Sequence, residues 1–270
     1  MMIMSSALGV GKRRSDAPQR VAPARRDVLL EEVIARQAVH VHFQPQIEVA
    51  TGFVHGVEAL ARWGVERDAN RLFARASASG LTERLSRLMQ RKALRAAGTW
   101  EGPLRGLNLS INLLPQDICR HGYEAWLLEE VEEAGVDPGR VTLELTESAL
   151  LDDHQAVARK LTMLREAGFS IAVDDFGTGY ASLAYLIRLP LDVVKIDRVL
   201  VANIVSGERD RIVMHAVIRL AHDLGLQVLV EGVEDAAQLA LLAEWGCDHY
   251  QGFLAASALD EFELRGFLAH

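Results

Sequence analysis

Short apolar runs alternate with longer amphipathic stretches along about 230 residues of this chain, and that alternation restricts its fold more than any single motif does. The runs at 107–111, 140–143, 169–173, 191–194 and 226–230 have the length of buried strands. The stretches between them predict helices over 81–97, 123–134, 153–167, 209–224 and 235–245. Strand followed by helix, with short connections, gives a parallel sheet covered by helices. Closed into a barrel, it sets the C-terminal end of every strand on one rim, where barrel enzymes carry their chemistry. A further helix is predicted from Asp27, its cap, with Val28, Leu29, Val33 and Ile34 on one face. A second apolar stripe, Val213, Ala216, Val217 and Leu220, reads as core.

The chain has 270 residues, half of them hydrophobic, which suits one large domain with a full core. Residues 1–26 mix Ser, Pro and Gly with basic residues and only Asp16 as counter-charge. They read as a disordered basic tail, with one domain over 27–270. A net charge of −8, spread along the chain, argues against a DNA or RNA polymer as partner. Cys119 and Cys247 carry no metal spacing. The apolar start precedes Lys12-Arg13-Arg14, the reverse of a signal peptide, and no run reaches transmembrane length, so a cytoplasmic location is expected.

Polar residues recur at the ends of the apolar runs. Glu58, Asn112, Glu144, Lys195 and Glu231 each follow one and are expected late in their strands, and Asp174-Asp175 closes another. Adjacent carboxylates at the end of a buried strand repel each other, which a divalent cation or a shared proton offsets. The pair therefore asks for a metal. His40 and His42 alternate on a strand but lie at its opening, before the expected rim, and are set aside as ligands.

The residues carry a resemblance to the EAL domain, a bacterial family of cyclic di-GMP phosphodiesterases. It runs through Phe43-Gln44-Pro45-Gln46-Ile47, Glu58-Ala59-Leu60-Ala61-Arg62-Trp63, Ser110-Ile111-Asn112 and Glu144-Leu145-Thr146-Glu147. It continues through Asp174-Asp175-Phe176-Gly177-Thr178-Gly179-Tyr180, Lys195-Ile196-Asp197-Arg198, Glu231-Gly232-Val233-Glu234 and Gln251-Gly252-Phe253. The resemblance implies a TIM-type (β/α)8 barrel with one antiparallel strand. It implies two Mg²⁺ or Mn²⁺ ions, the first held by Glu58, Asn112, Glu144 and Asp174, the second by Asp174, Asp175 and Glu231. Lys195 would orient the attacking water, and the product would be linear pGpG. Arg62 would meet a phosphate, while Gln44 and Gln251 would read the guanine or hold waters. Glu147 would brace the loop Phe176, Gly177, Thr178, Gly179, coupling metal binding to a homodimer contact that includes the helix near Tyr180. An unidentified regulatory protein is kept as a further candidate partner.

The segment from Gly64 to Leu72 is shorter than in the family, and Ser77, Leu200 and Ala258 replace its usual residues. Two other readings stand beside the phosphodiesterase. One is a cyclic di-GMP receptor with little or no catalysis, though degenerate members of that kind usually lose metal ligands that this chain keeps. The other is enolase-like proton abstraction, against which the Asp pair and the Asn ligand weigh.

Overall fold

The computed structural model describes residues 26–64, 69–146, 154–178 and 183–269. Glu147, Gly179, Tyr180 and residues 1–25 of the expected tail lie outside the described residues. Eight strands close a barrel in sequence order: β1 (His40–Glu48), β2 (Val54–Arg62), β3 (Asn108–Leu113), β4 (Val141–Thr146), β5 (Ser170–Phe176), β6 (Val193–Ile196), β7 (Gln227–Val230) and β8 (His249–Tyr250). Pairs from β2 to β8 are parallel, and β1 runs antiparallel to both β2 and β8, so the expected barrel with one reversed strand is found.

The predicted helices form at Thr82–Gly98, Tyr123–Ala134, His154–Glu166, Glu208–Asp223 and Ala236–Glu244, within a residue or so of their expected bounds. Their apolar faces cover the outside of the sheet, and one continuous core joins Leu109, Ile111, Leu143, Ile171, Val194 and Val228 to the helices. A smaller core under helix Val28–Ala35 gathers Leu30, Ile34, Ala61, Leu72 and Leu85.

Two expected faces are rotated. In the first helix Leu30 and Ile34 are buried while Val28 and Leu29 stand 61% and 54% exposed. Asp27 sets this rotation: its carboxylate caps the Leu30 N–H at 3.0 Å and also takes Arg75, from helix Ala69–Ala78, at 2.5 Å. In helix Glu208–Asp223 the core stripe is Met214, Ile218 and Ala221, one residue on from the expected one, with Val213 exposed and Val217 only partly buried against the core.

The reversed β1 corrects two further expectations. The β1–β2 hairpin has nine-residue strands that rise past the rest of the barrel, so Glu58 sits mid-strand in β2 and not near its end. Antiparallel pairing of His40 with Arg62 also brings the opening of β1 to the functional rim. His40 and His42 are thus not below the rim. His42 Nδ1 lies 3.4 Å from the Ala258 oxygen, and neither histidine belongs to a cluster of metal-ligating groups among the described residues.

Candidate active site

Each strand delivers its polar residue to the rim through ordinary pleat and register. Gln44 pairs with Glu58 across β1–β2, Asn112 with Glu144 across β3–β4, and Thr146 with Asp174 across β4–β5. Glu231 follows β7 directly, its N–H donating to the Ile196 oxygen at 2.9 Å, and Gln251 follows β8 in the same manner.

Asp174 and Asp175 need a different device, because neighbours in a regular strand point to opposite faces. Between Val173 and Phe176 the pairing with β6 shifts by one residue, a β-bulge, and Asp175 takes a left-handed φ of 59°. Aspartate is among the few non-glycine residues that tolerate this region. The extra residue turns both carboxylates the same way, so oxygens of Asp174, Asp175 and Glu231 lie within 4.8 Å of one another. Thr178 closes the turn, its hydroxyl donating to the Asp175 oxygen at 3.1 Å. Gly177, at φ 109°, leaves room for Leu200, whose Cδ1 would lie 2.5 Å from an added Cβ. Phe176 itself is buried in the core.

Lys195, 1% exposed, stands at the centre. Its Nζ lies 2.7 Å from Glu144, 2.9 Å from Glu231, 3.1 Å from Asp174 and 3.4 Å from Glu58. Burial opposes its charge, but the surrounding carboxylates win and hold the ammonium well above the ordinary lysine range. One cation does not satisfy them all. Burial, with the charges of Glu58 and Asp174 beyond what Lys195 offsets, pushes Glu144 well above the carboxylate range. Glu231 is pushed up to about 8 by burial and by Asp174 and Glu58, again against the pull of Lys195. Asp175 rises to about 6 through burial and its neighbours Asp174 and Asp197. Glu58 goes the other way. Burial raises it, but Lys195 and the hydrogen bonds from Gln251 and Asn112 together bring it below its usual value.

The amides serve the acids. Gln251 Nε2 donates to Glu58 Oε2 at 2.6 Å and Asn112 Nδ2 to Glu58 Oε1 at 3.1 Å, which leaves the amide oxygen of each as its remaining acceptor. Gln251 is therefore a buried brace of Glu58. Gln44 donates to the Ala256 oxygen at 3.2 Å, and Arg62 to the Ala61 oxygen at 2.8 Å, both beside a cavity of about 680 Å³. Glu58, Asn112, Asp174, Asp175 and Glu231 line that cavity, while Glu144 and Lys195 are buried and do not line it.

The donor set suits a hard divalent cation: carboxylates and amide oxygens, with no His or Cys. Glu144 Oε1 is a buried acceptor without a hydrogen-bond partner, as an oxygen kept for a cation would be. Sequence reasoning missed several cavity residues, among them Phe73, Gln90 and Arg198. Gln90 had a signal, a polar side chain on the apolar face that carries Leu85, Met89 and Leu94. Arg198 had one too, directly after the Lys195-Ile196-Asp197 run.

Fold and rim together define an eight-stranded α/β barrel whose strand ends gather acids around one lysine. The chain belongs to the EAL domain family, whose model matches residues 27–258. It is 35% identical over 276 residues to the cyclic di-GMP phosphodiesterase NbdA of Pseudomonas aeruginosa, covering 98% of this chain and 35% of that protein. The MucR phosphodiesterase of Pseudomonas aeruginosa, solved as a cyclic di-GMP complex, superposes with a TM-score of 0.80 at 30% identity, over 87% of this chain and 97% of that one. Klebsiella pneumoniae BlrP1, solved as a manganese and cyclic di-GMP complex, gives 0.75 at 31% identity, over 82% and 56%. The chain spans 33% to 46% of the length of the first curated relatives it matches. Among the described residues no helix is long and apolar enough to cross a membrane.

Proposed function

We propose that this chain hydrolyses cyclic di-GMP to linear pGpG at the barrel rim, with two Mg²⁺ or Mn²⁺ ions as cofactors. The observation that carries the reading is the charge imbalance around Lys195. Glu58, Glu144, Asp174 and Glu231 contact its ammonium and Asp175 adjoins them, so five carboxylates face one cation. Fully ionised, they leave four negative charges, which is what two divalent ions balance. The likeness to proteins named as cyclic di-GMP phosphodiesterases supports the substrate.

Glu58, Asn112, Glu144 and Asp174 would hold one ion, and Asp174, Asp175 and Glu231 the other. Bound there, the ions would lower the pKa of a shared water and stabilise charge on the phosphorus. The chain's own groups do the rest. Gln251 and Asn112 keep Glu58 ionised and oriented, since both donate to its carboxylate. Lys195 holds four carboxylates in one arrangement and keeps a proton donor beside them. Arg62, at the cavity wall, offers a planar fork of donors for a phosphate, and Gln44 offers an amide for the guanine or its waters.

Incubating the protein with cyclic di-GMP and Mn²⁺, then separating the nucleotides by chromatography, tests the proposal. Linear pGpG is expected with the metal and none in excess chelator. Tight binding with no product over hours would leave the receptor reading in its place. A homodimer whose contact includes the loop after Asp175 belongs to the same proposal and rests on membership of the family. Sedimentation equilibrium at micromolar concentration is expected to give twice the chain mass, and a pure monomer would remove this part.

A further inference from the structure

Behind Asn112 lies a buried polar network carried by the helices Thr82–Gly98, Pro115–Cys119 and Tyr123–Ala134. Gln90, 3% exposed, donates Nε2 to the main-chain oxygen of Asn112 at 2.9 Å, and its Oε1 accepts from the Tyr123 hydroxyl at 3.1 Å. Tyr123 is itself fully buried. Asp117, also fully buried, takes the Ser86 hydroxyl at 2.5 Å and the Leu114 N–H at 3.3 Å, and Gln90 Nε2 faces it at 3.4 Å.

The amide orientation of Gln90 follows from its partners. A main-chain oxygen only accepts, so the nitrogen must face Asn112, and the oxygen is then left for Tyr123. A polar group on an apolar helix face is costly unless paired, and here both ends of the amide are paired. Its position is thereby specified from two sides. The β2–β3 pairing ends at Glu58 and Ser110, two residues short of Asn112, and it is Gln90 that holds the Asn112 carbonyl. The Asn112 side chain in turn spends its N–H on Glu58, which leaves its oxygen as the atom a cation would use.

We infer that Gln90 is a positioning residue: anchored by Tyr123, it fixes the main chain of Asn112 and so the direction in which the Asn112 amide oxygen meets a divalent cation. This rests on the proposed reading of the rim as a cation site. Partners of this kind behind a metal ligand typically change metal affinity by about 10- to 100-fold when removed.

Mn²⁺ titration calorimetry on the full chain, with thermal unfolding in chelator as a separate measure of packing, tests the inference. Asn112→Ala, Gln90→Met and Tyr123→Phe are compared with the wild type. Gln90→Met is expected to weaken Mn²⁺ binding about tenfold. Tyr123→Phe keeps the ring and is expected to act in the same direction by a smaller factor, and the double variant to fall short of the product of the two. Were Asn112→Ala to weaken binding while Gln90→Met and Tyr123→Phe lowered only the unfolding temperature, Gln90 would be a packing residue and the inference overturned. If Gln90→Met does not fold, Tyr123→Phe decides alone by the same criterion. Unchanged affinity in Asn112→Ala would instead sink the cation reading, and this inference with it.

Discussion

Protons stand in at the rim wherever its one lysine runs out of charge. Glu231, pushed up to about 8, and Asp175, raised to about 6, both bind protons more firmly folded than unfolded. Such acids make stability fall as pH climbs from the unfolded value toward the folded one, because the folded state must give up protons that the unfolded state has already lost. In chelator the unfolding temperature is therefore expected to decline between about pH 5 and about pH 8. A saturating divalent ion replaces those protons and should flatten the decline. Scanning calorimetry with and without Mn²⁺ measures both, and a metal-free profile level across that window would contradict the charge assignment. The identities of these acids were legible in the sequence, since each ends an apolar run. Their unequal protonation was not, because it arises from how many share Lys195, and neither was the hydrogen bond by which Gln251 braces Glu58.

Elements explain which sequence patterns spoke and which stayed silent. Long amphipathic stretches such as Tyr123–Ala134 announced themselves, because a period of 3.6 accumulates over several turns. The bulge at Asp174-Asp175 adds one residue to one strand and leaves no periodic trace, yet it is what aims both carboxylates at the rim. The face of the first helix was misread for a similar reason. The contact that fixes it, Asp27 with Arg75, joins residues far apart in sequence. Helix-to-helix spacing offers a test away from the rim. Gly98 ends one helix against the last residue of another, where an added Cβ would stand 1.9 Å from the Ala134 oxygen. Gly98→Ala is expected to destabilise the fold by about 1 to 3 kcal/mol, the usual cost of overpacking. Helix C-termini lie at the barrel end opposite the rim, so Mn²⁺ affinity should stay as in the wild type. Denaturant unfolding and metal titration of the one variant check both halves.

Across the whole molecule, closure by a reversed first strand does more than complete the barrel. It sets Gln44 level with Glu58, and it lifts the start of β1 to the functional rim, which is why a reading that assumed parallel strands put His40 and His42 at the wrong end. Alternation alone gave a closed parallel sheet, and the reversal came only with the family resemblance. No local pattern in residues 40–48 marks the direction in which a strand will run. The barrel brings together residues from Glu58 to Gln251 around a single ammonium, and the excess of five carboxylates over one lysine is the charge that two divalent ions would balance. The most direct measurement is the number of Mn²⁺ ions bound per chain at about pH 8, where Glu231 is giving up its proton. Two ions are predicted for the wild type and fewer for Asp174→Asn, whose cooperative unfolding in chelator should persist. A wild-type chain that binds no Mn²⁺, or an Asp174→Asn chain that still binds two ions as tightly, would contradict it.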